Sequence, residues 1–211
     1  MTGTRFVSLW QRCSSGVARR DAAALFDVIH ALYASDGRHY HTPAHIEHCL
    51  SRFDMCSDLM QRPDEVELAL WYHDAVYDPV AGNNEQQSAE LFVRHADASM
   101  DPARVQRVYD LIMYTIHREP PPGNDEKLMV DIDLSGFGLP WDDFARDSRA
   151  VRAEFTHMSD AEFYGGQIRF LGSLLGRERF FASDFFHERY EQQARENVER
   201  TLAGLREAGF G

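Results

Sequence analysis

The sequence predicts an all-helical protein, and three observations carry that expectation. Apolar residues recur at three- to four-residue spacing through most of the 211 positions. No sustained alternation of apolar and polar residues competes with that period. Pro43, Pro63 and Pro102 each stand near the start of such a stretch, where a missing backbone N–H is harmless.

Taken in chain order, the first stripe is Leu25, Phe26, Ile29, Leu32 and Tyr33, closed by the turn Asp36-Gly37-Arg38. Thr42 is the expected N-cap of the next helix, which presents Ile46, Cys49, Leu50, Phe53 and Cys56 on one face. Val66, Ala69, Leu70, His73, Val76 and Tyr77 predict a helix running through to Tyr77. After the turn-rich segment 78–84, Asn84 reads as an N-cap with Glu85 in the favourable first turn. Asp101 reads as the cap of a helix carrying Val105, Val108, Tyr109, Ile112 and Ile116. The runs 120–124 and 136–140 are rich in proline and glycine and read as connections. Later helices are expected at about 141–158, 160–175 and 187–208. No linker, repeat or low-complexity tract divides the chain, so residues 1–211 are expected to form one domain, with C-terminal helices over 141–208 completing the bundle.

Charge and composition exclude some partners. Against 34 Asp and Glu there are 22 Lys and Arg, a formal charge of −12 that repels nucleic-acid phosphates, so no duplex partner is expected. A small anion is still compatible, because a metal and a few local arginines reverse the field inside one pocket. No apolar run approaches membrane-spanning length and no leader-like start is visible between Met1 and Gly16, so a cytoplasmic protein without a membrane partner is expected. Cys13, Cys49 and Cys56 are odd in number and lack a CxxC pair; neither a disulfide framework nor a thiolate zinc site is suggested, and Cys49 and Cys56 read as core filler.

The chemistry concentrates in three places. Tyr72-His73-Asp74 puts an imidazole on the core-facing stripe beside a carboxylate, and burying an unpaired carboxylate costs several kcal/mol unless a cation or hydrogen bonds compensate it. Four histidines, His39, His41, His45 and His48, fall within ten residues at the entry to a helix, and His45 borders the Ile46, Cys49, Phe53 stripe. Asp131 and Asp133 lie in an apolar run, Met129-Val130-Asp131-Ile132-Asp133-Leu134, and two residues so spaced on a helix cannot face one point. Two inward imidazoles with carboxylates form an N/O donor set suited to a divalent metal such as Mn, Mg, Fe, Co or Zn.

His45, then His73-Asp74, then Asp133 resembles the H…HD…D pattern of the HD superfamily of metal-dependent phosphohydrolases, with the motif-bearing part spanning about 38–135. Tyr40-His41-Thr42-Pro43-Ala44-His45 is similar to the YHNxxH segment of cyclic-nucleotide phosphodiesterases, and Ile132-Asp133-Leu134-Ser135 to their closing segment, which selects Asp133 over Asp131. Asn84-Glu85-x-x-Ser88-Ala89, Thr115-x-His117 and Ala194-Arg195-x-Asn197 resemble a group of small bacterial HD proteins. The resemblance implies a helical bundle of the HD type and hydrolysis of a small phosphorylated substrate, a nucleotide or related phosphate ester, by a metal-activated water. It implies His45, His73, Asp74 and Asp133 as metal ligands and His41 as the acid that protonates the leaving oxygen, imidazole being a residue type that exchanges protons near neutral pH. Glu85 would act through metal-bound water, with Asp78 the one acid retained from the HDxxED motif of guanosine tetraphosphate hydrolases, Tyr77 standing where that motif has glutamate. Asn84, Ser88 and His117 would line the substrate site, and Arg38 and Arg118 are the nearest candidates for a phosphate clamp.

Two other readings remain open from the residues. His95 and His117 raise a di-iron oxygenase, since some HD-fold proteins hold a second iron with histidines placed between the HD pair and the last aspartate. A metal-stabilised ligand-binding module without turnover is the non-enzymatic alternative.

Overall fold

The structure, a computed structural model, describes residues 2–15 and 21–210; Met1 and Gly16, the ends of the stretch read above for a leader, lie outside them. Among the described residues there are ten α-helices and no strand: α1 Gly3–Cys13, α2 Ala22–Tyr33, α3 Pro43–Asp54, α4 Pro63–Tyr72, α5 Asn84–Ala96, α6 Pro102–Tyr114, α7 Asn124–Leu134, α8 Trp141–Glu154, α9 Asp160–Leu175 and α10 Asp184–Glu207. The protein is therefore all-α, as the periodicity leads one to expect. No helix is long and apolar enough to cross a membrane.

At the centre lies α4, every residue of which from Glu65 to Tyr72 is buried, with α1, α3, α5, α6 and α7 packed around it. Its position leaves two carboxylates inside the protein, and each has a cation: Glu65 is held by Arg107 at 2.7 Å and Glu67 by Arg5 at 2.7 Å. Phe6, Trp10, Tyr72 and Phe92 close the core on the α1 and α5 side, Trp10 and Phe92 meeting edge to face. On the other side, the short 3-10 turn Ser135–Gly138 lies against α10 so closely that a Cβ on Gly138 would come within 2.7 Å of Tyr190 Cβ. Asn197 ties the same turn down, its amide donating to Phe137 O and Leu139 O at 2.8 Å each.

Several helix ends differ from the sequence expectation. α4 stops at Tyr72 instead of running to Tyr77, with His73 as its C-cap. Two consecutive side chains on a helix diverge by about 100°, so His73 and Asp74 meet one point only because the chain leaves the helix between them. Arg38 holds that exit, donating to Asp74 O at 2.7 Å and Ala75 O at 2.8 Å, where helix carbonyls end and a cation is favoured. α5 is capped from Asn83, and Asn84 is its first residue. Asp101 does cap α6 through Arg104 N, whereas Thr42 occupies the α3 cap position without a side-chain bond. α8 ends at Glu154, four residues short of the expected boundary, and α10 begins at Asp184, three before it.

Candidate metal centre

The α3 N-terminus, the α4 exit and the C-terminal half of α7 converge on one buried point. His45 stands in the first turn of α3 and is 5% exposed; His73 is 1% exposed. Their Nε2 atoms face each other at 3.2 Å. Asp74 Oδ2 lies 3.1 Å from His73 Nε2 and 3.4 Å from His45 Nε2. From the opposite side, Asp133 Oδ1 lies 3.4 Å from His73 Nε2 and 3.6 Å from His45 Nε2.

The tautomer of His73 makes this arrangement informative. Its Nδ1–H donates to Leu70 O at 2.9 Å, so in the neutral ring the Nε2 lone pair points at the cluster. That lone pair and the carboxylate oxygens thus face one another inside the protein, which is repulsive unless a proton or a metal cation stands between them. The spacing fits one. Ligands about 2.1 Å from a common ion are separated by about 3.0 Å at octahedral and about 3.4 Å at tetrahedral angles, and the five separations above run from 3.1 to 3.6 Å. In the metal-free protein burial pushes both imidazoles down, but Asp74 and Asp133 hold His73, and Cys49 and Tyr40 followed by the same carboxylates hold His45, well above the usual histidine range. Asp74 and Asp133 move the other way: burial opposes ionisation, and the histidines around them, His73 and His41 for Asp74, His117 and His45 for Asp133, hold both carboxyls well below their ordinary value.

Cys49, one turn after His45, adds a sulfur. Its Sγ is 3.7 Å from His45 Nε2, and Cys49, His45, His73 and Asp133 offer ligand atoms all within 4.8 Å of one another. The residue reads as core filler in the sequence, and its 0% exposure agrees with that reading as far as it goes; only the fold shows that the thiol borders the cluster. Asp131 faces elsewhere: its carboxylate accepts from Ala182 N, Ser183 N and Ser183 Oγ at 2.6–2.8 Å, clamping the start of α10. His48 also points away, donating to Ser135 Oγ at 2.8 Å, since that hydroxyl gives its own proton to Ile132 O.

His117, His41 and Glu154 orient these groups. His117 donates from Nε2 to Asp133 Oδ2 at 2.9 Å and reaches it from a left-handed backbone at φ 60°, a conformation that costs a non-glycine residue energy and that histidine tolerates better than most. Its Nδ1 is buried with no protein partner. His41 approaches Asp74 Oδ2 to 3.9 Å through Nε2, stacks on Tyr77 with ring centres 4.2 Å apart, and gives its Nδ1 side to Glu154 Oε2 at 2.7 Å. The other oxygen of Glu154 accepts the N–H groups of His39, Tyr40 and His41 at 2.7–3.0 Å. Burial works against that charge, yet the His41 and backbone bonds prevail and bring the Glu154 carboxyl down to about 2. Nothing local in the sequence marks Glu154, 113 residues from its partner.

The remaining expected site residues separate into two groups. Glu85 and His117 line a cavity of about 530 Å³ together with His41, Asp74 and Asp133. They also line an adjoining groove of about 900 Å³ that includes Arg118 and Arg177. Arg38, Asp78, Asn84 and Ser88 build the loop after α4, and Asn84 also lines that groove. The Arg38 fork, expected to clamp phosphate, is taken up by the carbonyls of His41, Asp74 and Ala75. Ser88 Oγ accepts from Val76 N and donates to Val76 O, and the Asn84 amide bonds both the N–H and the C=O of Asp78. The Asp78 carboxylate accepts from Val80 N at 2.9 Å within its own turn. These four hold the His73-Asp74 exit in shape and do not line the cavity. Neither does His95, whose Nδ1 lies 2.9 Å from the Tyr72 hydroxyl.

Comparison with family models, curated proteins and solved structures finds no match for this chain.

Proposed function

We propose that the protein is a metal-dependent phosphohydrolase of the HD type, holding a divalent cation through His45, His73, Asp74 and Asp133. One observation carries the reading: two imidazole Nε2 atoms and two carboxylate oxygens, from three separate helices or their ends, face one another at 3.1–3.6 Å in a buried site that opens on a cavity. The donor set fits Mn, Mg, Fe, Co or Zn, with Cys49 as a further neighbour favouring the softer of these. When bound, the cation supplies a water nucleophile at neutral pH and offsets charge on the phosphoryl oxygens.

The residues of the chain supply the rest. Asp133, locked by His117, and His73, locked by Leu70 O, fix the donor directions before any ligand arrives. His41 gives the ester oxygen a proton from Nε2 as the P–O bond breaks and water oxygen bonds to phosphorus, so an alcohol and inorganic phosphate leave. Glu154 keeps Nδ1 of that ring as a donor and fixes the ring with Nε2 toward Asp74. Glu85, which lines the cavity, would hold the attacking water. The test is a metal-loaded hydrolysis screen over phosphate esters, with release of inorganic phosphate as readout. Release that requires added metal and is lost in Asp74→Ala supports the reading; no release from any ester with any of the five metals overturns it and leaves a metal-stabilised binding module.

A further inference from the structure

The cavity above the cluster is far larger than a phosphate group. Its volume of about 530 Å³ falls in the range of roughly 300–1,000 Å³ that encloses a whole small organic ligand. What the wall is made of restricts what that ligand carries. Away from the cluster the lining is mainly Phe137, Phe144, Val151, Phe155, Phe163 and Phe170, contributed by the turn after α7, by α8 and the residue that caps it, and by α9, with Ser148, Gln167 and Arg169 among its polar members. The rings adjoin one another, Phe137 and Phe144 at 5.6 Å and Phe155 and Phe163 at 5.2 Å between centres. Phe170 is 40% exposed and borders both the cavity and the adjoining groove, so an apolar rim faces solvent where a ligand body would cover it.

One oxygen of each carboxylate on that wall is already engaged. Glu162 accepts from Ser159 N at 2.9 Å and Ser159 Oγ at 2.6 Å in the cap of α9, and Asp147 pairs with Arg146 at 3.0 Å. A sugar or nucleoside brings several hydroxyl and ring polar atoms, each of which costs free energy if buried without a partner. Aromatic faces do not provide those partners; they reward apolar area.

We infer that the site acts on the phosphate monoester of an apolar, ring-bearing alcohol, whose hydrophobic body lies between α8 and α9 while its phosphate meets the metal cluster. The inference rests on the hydrolase reading above and narrows its substrate class. Hydrolysis breaks the P–O ester bond, transfers phosphorus to water and returns the alcohol with a proton, so no further co-reactant is needed.

A fair comparison uses esters that all release a primary alcohol, so that leaving-group chemistry is matched: ethyl phosphate, phenylethyl phosphate, a hexose phosphate and a nucleoside monophosphate. Phenylethyl phosphate should exceed ethyl phosphate at least tenfold in kcat/KM, since each buried methylene is worth about fourfold, and should exceed the two polar esters. Gly166 lines the cavity, and a Cβ there would meet only the Arg169 guanidinium, at 3.9 Å. Gly166→Leu should therefore fold, take up cavity space, and lower the ratio of phenylethyl to ethyl phosphate turnover at least tenfold. Equal kcat/KM across the series, or preference for the hexose or nucleoside ester, overturns the inference while leaving the hydrolase reading in place. If no ester is cleaved, binding of naphthylethanol to the metal-free protein, followed by its own fluorescence, still decides: saturable binding weakened by Gly166→Leu supports an apolar-body pocket, and no binding overturns it.

Discussion

His41 Nδ1 lies 2.7 Å from Glu154 Oε2, and the second oxygen of the same carboxylate gathers three consecutive backbone N–H groups from residues 39–41. One buried acid thereby fixes both the loop that carries His41 and the orientation of its ring. Glu154→Gln keeps an oxygen for the backbone but presents an N–H₂ to Nδ1, which reverses the tautomer. The expected result is a loss of about 10²-fold in kcat with metal content unchanged. Unchanged kcat with full metal content would make Glu154 a structural clamp alone.

The same acid gives a stability prediction. Its carboxyl is depressed from 4.5 to about 2 in the folded protein, so the unfolded chain binds the proton more readily. That contribution is complete above pH 4.5, is lost as pH falls from there through about 2, and amounts to on the order of 3 kcal/mol. Urea midpoints between pH 5 and 3 should fall for the native sequence and fall less steeply for Glu154→Gln. Parallel slopes would show that the ion is not what the backbone groups hold.

Metal uptake should release protons. In the metal-free protein Asp74 and Asp133 keep His73, and Cys49 and Tyr40 together with those carboxylates keep His45, protonated above the usual range, and a cation can bind only to the unprotonated rings. Calorimetric titration with Mn or Zn in buffers of different ionisation enthalpy should report between one and two protons released per metal near pH 7, with affinity rising as pH rises. Asp74→Ala should lose the metal, whereas His41→Ala should keep it. Zero proton release, or equal metal loss in both variants, would contradict the ligand assignment.

Asp131 and Asp133 provide a contrast within one turn of α7. Asp131 is fully buried against the start of α10, and burial raises its carboxyl to about 6 despite the Ser183 and Ala182 bonds. Asp131→Asn places an N–H₂ among three donors and should cost about 1–3 kcal/mol in unfolding free energy with metal content intact. Asp133→Asn should remove metal binding with a smaller effect on the metal-free fold. Metal lost from Asp131→Asn but retained in Asp133→Asn would show the assignment to be reversed.

Helicity, the α3 and α6 starts and the convergence of His45, His73 and Asp133 were legible because each rests on local spacing or on a short motif. The 3.6-residue stripe overran α4 by five residues, since nothing local announces that His73 and Asp74 must leave the helix to share a point, nor that Arg38 waits 36 residues upstream of Asp74 to receive the exit. Arg38, Asn84 and Ser88 carry the polar groups a phosphate site would use, but the fold directs all three to backbone groups of residues 41 and 74–78. Glu154 and the aromatic wall of α8 and α9 come from a part of the chain without a motif, and only tertiary packing brings them over the cluster.

The choice between one metal and a di-iron centre turns on His95. Its Nδ1 lies 2.9 Å from the Tyr72 hydroxyl, and the ring packs edge-on to Tyr72 at 5.7 Å, on the α5 side of α4 and outside the cavity. His117, the other histidine a second iron would need, spends Nε2 on Asp133 and has only Nδ1 left. With at most that one nitrogen from the pair, a second ion near Asp74 would have mostly carboxylate and water ligands, an environment that suits Mg or Mn better than a redox iron pair. His95→Ala should destabilise the fold by about 1–3 kcal/mol, through loss of a buried ring and of one partner of Tyr72, while metal stoichiometry and phosphate release remain at the level of the unaltered protein. Iron titration followed by electron paramagnetic resonance, beside an oxygen electrode, checks the alternative. Two irons per chain with oxygen consumption, both lost in His95→Ala, would replace hydrolysis with oxygenation as the reaction of this site.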